Sequence, residues 1–303
     1  MLKPNLTSEE PTVKNDPTFF KLAKLILKIG ITVLCFWWIS KKIDFNEAKT
    51  ALVKANWWWL FAAVTLYALS KLFSAFRLNI YFKNISIQLP EWTNIKLYWL
   101  GMFYNLFLPG SISGDAYKVI LLKKRFDSSY KRISAAVLLD RFSGLVALGL
   151  ILAVYGIITL SNRLYYAGFI AGSVVATLIL YFIIRRYFSY FYSGFWSTFF
   201  WGLAVQLTQV ICIYCILMAL HLPLIAEWIF IFLAAAIFAV FPISLGGGLG
   251  TRELVFVFGA NFFHLDPDIA PVISILFFLA TLIASMPGLY FVFHDPLATK
   301  KAT

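Results

Sequence analysis

The sequence predicts an all-α polytopic membrane protein. The expected architecture is an inverted-repeat helical bundle of about eight membrane segments, two of them broken or re-entrant hairpins. Three observations carry this expectation. Of 303 residues, 61% are hydrophobic and 13% charged, against about 25% charged in soluble domains. The apolar residues fall into runs close to the roughly 20 residues that cross a hydrocarbon core. Two of those runs are interrupted by Gly, Pro and Ser at corresponding positions in the two halves of the chain.

The elements follow in order. Residues 1–18 are polar, carry Pro4, Pro11 and Pro17, and read as a disordered cytoplasmic tail. The first span covers 19–40, with Lys21, Lys24 and Lys28 able to snorkel towards the cytoplasm. It ends in Phe36-Trp37-Trp38 rather than in the small residues of a cleavage site, so it is expected to remain as an anchor. The second span, 57–76, opens on Trp57-Trp58-Trp59, an interfacial aromatic belt. The run 92–122 is broken by LPGSISGD at Leu108 to Asp115. Spans at 133–158, 164–184 and 197–220 follow, then the run 228–263, broken by FPISLGGGLGTRE, and a last span at 271–293. These make one transmembrane domain, 19–293, with halves 19–158 and 164–293, and 294–303 as a second cytoplasmic tail. Length alone does not decide whether each hairpin half stops midway or spans fully.

Loop charges orient the chain. Lys123, Lys124, Arg125, Lys131 and Arg132 precede the 133–158 span, and Arg185-Arg186 follow the 164–184 span. Both clusters lie in the cytoplasm if those spans form an out-and-back pair. Arg77, Lys83 and Lys300-Lys301 then also fall inside, provided each interrupted run enters and leaves on one face. Lys41, Lys42, Lys49 and Lys54 fall outside, against the trend. With this parity each half crosses three times, so the second half is inverted relative to the first. Pro109-Gly110-Ser111-Ile112-Ser113-Gly114 faces Pro242-Ile243-Ser244-Leu245-Gly246-Gly247 in this scheme. Paired interruptions of this kind are the sequence mark of a transport site at the repeat interface.

The net charge of +12 fits cytoplasmic loops facing anionic headgroups better than a nucleic-acid partner. Cys35, Cys212 and Cys215 all lie in apolar runs. The Cys212–Cys215 spacing reads as small packing residues rather than a redox pair, since no βαβ pattern surrounds it. His221, His264 and His294 are scattered singly, so no metal is expected. No nucleotide or hydrolase motif is present, and neither a cofactor nor enzymatic activity is expected.

The polar positions inside the apolar runs are the site candidates. Pro242 removes a backbone donor and ends the incoming helix. Gly246, Gly247, Gly248 and Gly250 allow positive φ and close approach by backbone or ligand. The next helix is expected to start near Gly250, turning its free N–H groups into the break, where an anion is favoured. Glu253 suits that first turn, whereas Arg252 calls for an anionic partner, either a phosphate or a carboxylate such as Asp115. In the first break, Ser111 and Ser113 are expected to cap a helix starting near Gly114, with Asp115 in its first turn. Lys118 shares a face with Asp115, and Asn105 stands ready for freed backbone groups. Asp140 and Arg141 lie about 10 Å into an apolar span, where an ionised pair needs a partner or a wet cavity. Neighbours on a helix diverge by about 100° and do not pair with each other, so at least one should reach a hairpin. Lys71 reads as a snorkelling side chain near Arg77, and Gln206 and Gln209 as inter-helix hydrogen-bonding groups with substrate contact second.

These residues carry a resemblance. Asn105, Leu108-Pro109-Gly110, Gly114-Asp115 and Lys118, then Asp140-Arg141 with Gly144, then Pro242-Ile243-Ser244 through Gly250-Thr251-Arg252-Glu253, are similar to the motifs of the lysylphosphatidylglycerol synthase transmembrane family, also called flippase-like domain proteins. Lys118 stands where that family's first motif commonly carries Arg. The resemblance implies an inverted-repeat bundle of about eight segments that moves lipids or lipid-linked precursors between leaflets. It covers the membrane portion alone, without the aminoacyl-transferase domain of bifunctional members. The expected function is a bacterial inner-membrane translocase for an anionic or aminoacylated phospholipid or a polyprenyl-phosphate-linked precursor, with both termini cytoplasmic. Membrane lipids and proteins of a cell-envelope pathway are the expected partners. A polyprenyl-phosphate-dependent glycosyltransferase, a secondary transporter of a small anion and an accessory subunit are the alternatives.

Overall fold

The computed structural model describes residues 52–108, 112–240 and 250–298. The tail at 1–18, the 19–40 span, Cys35, Pro109, Gly110, Ser111, Pro242, Ser244, Gly246, Gly247 and Gly248 lie outside the described residues, as does 299–303.

Every regular element among the described residues is helical. The order is α1 (Trp57–Asn84), α2 (Glu91–Phe107), α3 (Ser113–Arg125), α4 (Tyr130–Thr159) and α5 (Arg163–Tyr187). A 3₁₀ turn (Ser189–Gly194) leads into α6 (Phe195–Ala219), followed by α7 (Ala226–Val240), α8 (Thr251–Phe262), α9 (Ile269–Ser285) and α10 (Pro287–Phe293). Three of the long helices start on side-chain caps. Asn56 accepts from Trp58 N, Ser129 from Arg132 N and Asn162 from Leu164 N, relieving N–H groups that have no intrahelical acceptor.

Among the described residues α1, α4, α5 and the 3₁₀ turn with α6 are long and apolar enough to cross a bilayer. The pair α9–α10, bent by 41° at Met286, is a fifth candidate. Pro287 at the start of α10 explains that bend, since its ring removes a donor and clashes with the preceding turn. The expected total of about eight also counted the 19–40 span and the two hairpins. The returning arms α3 and α8 have 13 and 12 residues. At 1.5 Å per residue they are about 18–20 Å long, short of a hydrocarbon core of about 30 Å.

The boundary of α1 corrects one expectation. The helix runs to Asn84 rather than ending at 76, so Arg77 is an enclosed helical residue and not a cytoplasmic loop charge. Hydropathy drops at a charge, but a helix continues through a charge that is paired.

The centre of the bundle is α1 packed along α6. Tyr81 Oη donates to Thr198 Oγ1 at 3.1 Å, Gln209 Nε2 to Ser70 Oγ at 3.3 Å, and Cys212 Sγ to the Ala63 carbonyl at 3.2 Å. Cys212 and Cys215 are buried free thiols at this packing surface. Asn94 Nδ2 ties α2 to α1 through the Ala75 carbonyl at 2.6 Å. The packing partners have a regular pattern. Exchanging α1 with α6, α2 with α7, α3 with α8 and α4 with α9–α10 leaves the set of contacting pairs unchanged: α4 packs on α7 as α9–α10 pack on α2, and α3 on α4 as α8 on α9. The helix α5 packs on α4 and leaves most of its surface exposed.

Candidate functional site: a charged cavity between two helical hairpins

The first hairpin is closed by its own polar residues. Asn105 Oδ1 near the end of α2 accepts from Gly114 N at 2.8 Å, and Ser113 Oγ donates to the Tyr104 carbonyl at 2.9 Å. Ser113 therefore does not cap α3. It is the first helical residue, the N-cap position is Ile112, and no side chain caps it. Its hydroxyl instead adds a second hydrogen bond to the Tyr104 carbonyl near the end of α2, which also accepts from Leu108 N. Two glycines set the closeness of the arms. A β-carbon on Gly114 would lie 1.9 Å from the Gly101 carbonyl oxygen, and one on Gly101 would lie 2.1 Å from Lys118 Cε. Gly101 thus supplies the slot in which the Lys118 side chain lies.

The charged groups of α1, α3 and α4 meet behind this slot. Lys118 Nζ binds Asp115 Oδ1 at 2.9 Å, and Arg141 Nε binds Asp115 Oδ2. Asp140 turns the other way and receives Arg77 Nε at 2.7 Å. Arg77, Asp115, Lys118 and Asp140 are all buried. A lone charge at membrane depth is costly, so this mutual pairing is the condition for their presence. Gly144 gives the Arg77 guanidinium its space, since a β-carbon there would lie 3.0 Å from Nη1. The divergence expected of Asp140 and Arg141 is what lets α4 hold two different helices at one level.

The second hairpin returns through Gly250, whose φ is +85°. Glu253 accepts from the Gly250 backbone N–H and, through Oε1, from Ser274 Oγ at 3.2 Å on α9. Arg252 does not reach Asp115, whose two oxygens are held by Lys118 and Arg141. Its Cζ lies 4.8 Å from the Phe277 ring centroid, and its Nε and Nη1 are enclosed without a hydrogen-bond partner among the described residues.

These elements surround a cavity of about 230 Å³. Among the described residues, five cationic side chains line it (Lys71, Arg77, Lys118, Arg141 and Arg252) against two carboxylates, Asp115 and Asp140, a surplus of three positive charges. Asn105, Gln206 and Gln209 also face it. Gln206 Nε2 donates to the Gly144 carbonyl at 3.3 Å, so both glutamines bridge helices while bordering the cavity. Glu253 stands beside the cavity wall rather than in it, and Gly250 carries the turn into α8.

Lys71, Arg77, Tyr98 and Gly101 belong to this site although the sequence did not single them out for it. Lys71 lines the cavity instead of snorkelling to a membrane face. The available signal was a polar stripe at helical spacing, Tyr67, Lys71, Ser74 and Arg77, within an apolar helix. On the far side of α4, an apolar groove of about 770 Å³ runs between α4 and α5, and Leu145 borders both the groove and the charged cavity.

The family profile of the lysylphosphatidylglycerol synthase TM region matches residues 25–288. A UPF0104 membrane protein of Pyrococcus horikoshii is 29% identical over 121 residues, covering 39% of this chain and 35% of its own. The match thus spans about a third of the length of that curated relative. No solved structure matches the chain.

Proposed function

The chain belongs to the lysylphosphatidylglycerol synthase TM region family, and from that membership and its charged cavity we propose that it moves a phosphate-bearing lipid between leaflets without changing it covalently. The substrate is an anionic or aminoacylated phospholipid or a polyprenyl-phosphate-linked precursor. The carrying observation is the cationic surplus enclosed at the meeting of the two hairpins, next to the apolar groove across Leu145. A headgroup phosphate fits the polar side of that boundary and hydrocarbon tails fit the other, whereas a carrier of a small soluble anion has no use for the groove. The surplus cations of the cavity attract the phosphate, while Asp115 holds Lys118 and Arg141 in place and Asp140 holds Arg77. The matching helix contacts of the two halves support an inverted repeat, rocking about the site. The protein resides in the bacterial inner membrane with both termini in the cytoplasm, as the loop charges suggest.

The test is headgroup exchange between leaflets in proteoliposomes containing phosphatidylglycerol. Faster exchange than in protein-free vesicles, lost in Arg252→Ala, is the expected result. Absence of movement for every anionic lipid tried would sink the reading.

A further inference from the structure

The five cations of the cavity are not equivalent. Arg77 is matched by Asp140, and Lys118 and Arg141 share Asp115. Lys71 and Arg252 have no carboxylate within ion-pair distance among the described residues. Each instead lies over an aromatic ring: Lys71 Nζ 4.7 Å from the Tyr67 centroid, Arg252 Cζ 4.8 Å from that of Phe277. The two rings meet edge to face, with centroids 5.3 Å apart. A ring face attracts a cation but does not neutralise it. The ammonium and the guanidinium are therefore carried on two touching rings, and both line the same cavity.

We infer that Lys71 and Arg252 form the anion subsite of the cavity and that its ligand is a phosphate group, while Lys118 and Arg141 serve as matched structural cations. This rests on the reading of the cavity as a headgroup site and divides its cations by role. Three features select phosphate. Arg252 lines the cavity with no carboxylate partner among the described residues, and its guanidinium is a planar fork of the kind that binds phosphate or carboxylate through two oxygens. Lys71 adds a point charge for a further oxygen, of which phosphate has more to offer than carboxylate. Arg252 lies in the first turn of α8, where N–H groups without intrahelical acceptors favour an anion. The size also fits: about 230 Å³ is room for roughly eight waters at about 30 Å³ each, enough for a phosphate and its immediate substituent but not for lipid tails.

The source of the phosphate is a lipid headgroup or free phosphate, and the experiment separates them. The full-length protein in neutral detergent is titrated calorimetrically, at constant ionic strength, with inorganic phosphate and, separately, with dihexanoyl phosphatidylglycerol. One saturable site per chain is expected. Lys71→Met and Arg252→Met should each weaken it by roughly tenfold or more, as expected for losing a charge-assisted hydrogen bond. Lys71→Arg should recover most of the affinity. Binding of the lipid probe assigns the site to a headgroup, and binding of inorganic phosphate alone assigns it to a free anion; either upholds the subsite. The melting midpoint supplies the independent readout. Both Met variants should melt at or above the wild type, because each removes a cation that no carboxylate compensates.

Binding of neither probe, or binding unchanged in both Met variants, overturns the inference. So does a lowered midpoint in both, which would mark the two cations as structural. Headgroup movement that persists unchanged in both variants removes the subsite and leaves translocation standing. Phosphate binding without headgroup movement does the reverse.

Discussion

Arg77 on α1 and Asp140 on α4 form a buried ion pair, Nε to Oδ1 at 2.7 Å. Arg141, the next residue, holds Asp115 on α3. One dipeptide thus ties α4 both to the central helix and to the returning arm of the first hairpin. The placement of the cavity wall depends on this double attachment.

Removing one member of the pair should be far worse than removing both. Asp140→Leu strands the Arg77 guanidinium, for a loss of about 3–5 kcal/mol. The double variant Arg77→Met/Asp140→Leu, which leaves no buried charge behind, should recover most of that loss. Thermal melting of the four proteins in one detergent, read as a double-mutant cycle, measures the coupling.

The glycines of the first hairpin should differ in how they tolerate a methyl group. Gly114→Ala drives a β-carbon into the Gly101 carbonyl, 1.9 Å away, and backbone cannot step aside. Gly101→Ala meets the flexible end of Lys118 instead. Gly114→Ala should therefore abolish stable expression. Gly101→Ala should fold with a lowered midpoint that Lys118→Ala partly restores. Size-exclusion profiles and melting curves of the three variants check this.

The start of α8 depends on Gly250 and Glu253. With φ at +85°, Gly250→Ala should cost about 1–2 kcal/mol of backbone strain. Glu253→Ala removes the acceptor for Gly250 N–H and for Ser274 Oγ, for about 1–2 kcal/mol. Hydrogen exchange should show faster opening at residues 250–254 in either variant, with α1 and α6 unchanged.

Filling the apolar groove should separate headgroup binding from movement. Gly172 lines the groove, and a β-carbon there meets nothing within 4 Å. Gly172→Phe is expected to keep the melting midpoint and phosphate binding while slowing headgroup exchange in proteoliposomes. Unaltered exchange would show that tails do not use this groove.

Much of the site was legible because a charge in an apolar run is itself a signal. Asp115, Lys118, Asp140, Arg141 and Arg252 stand out by their cost at membrane depth, and all five line one cavity. Lys71 and Arg77 were misread since each sits near an apparent span end, where snorkelling or a loop explains a cation equally well. Gly101 gave no signal, because a helical glycine shows its purpose only when another chain segment crosses it. The capping role expected of Ser113 failed for a related reason: its hydroxyl had a long-range carbonyl to choose over the local N–H groups.

By itself, the sequence determined the membrane class, the helical runs, the two breaks and the family, all of which follow from hydropathy and local backbone chemistry. Tertiary structure alone decided which distant charges meet: Arg77 with Asp140, and Arg141 with the Asp115 that already shares a helix face with Lys118. It also decided that Lys71 and Arg252 lie on touching rings with no carboxylate partner among the described residues. The reason is physical: local pattern sets what a segment can be, whereas an ion pair requires a few ångströms between residues tens of positions apart, and only packing fixes that distance.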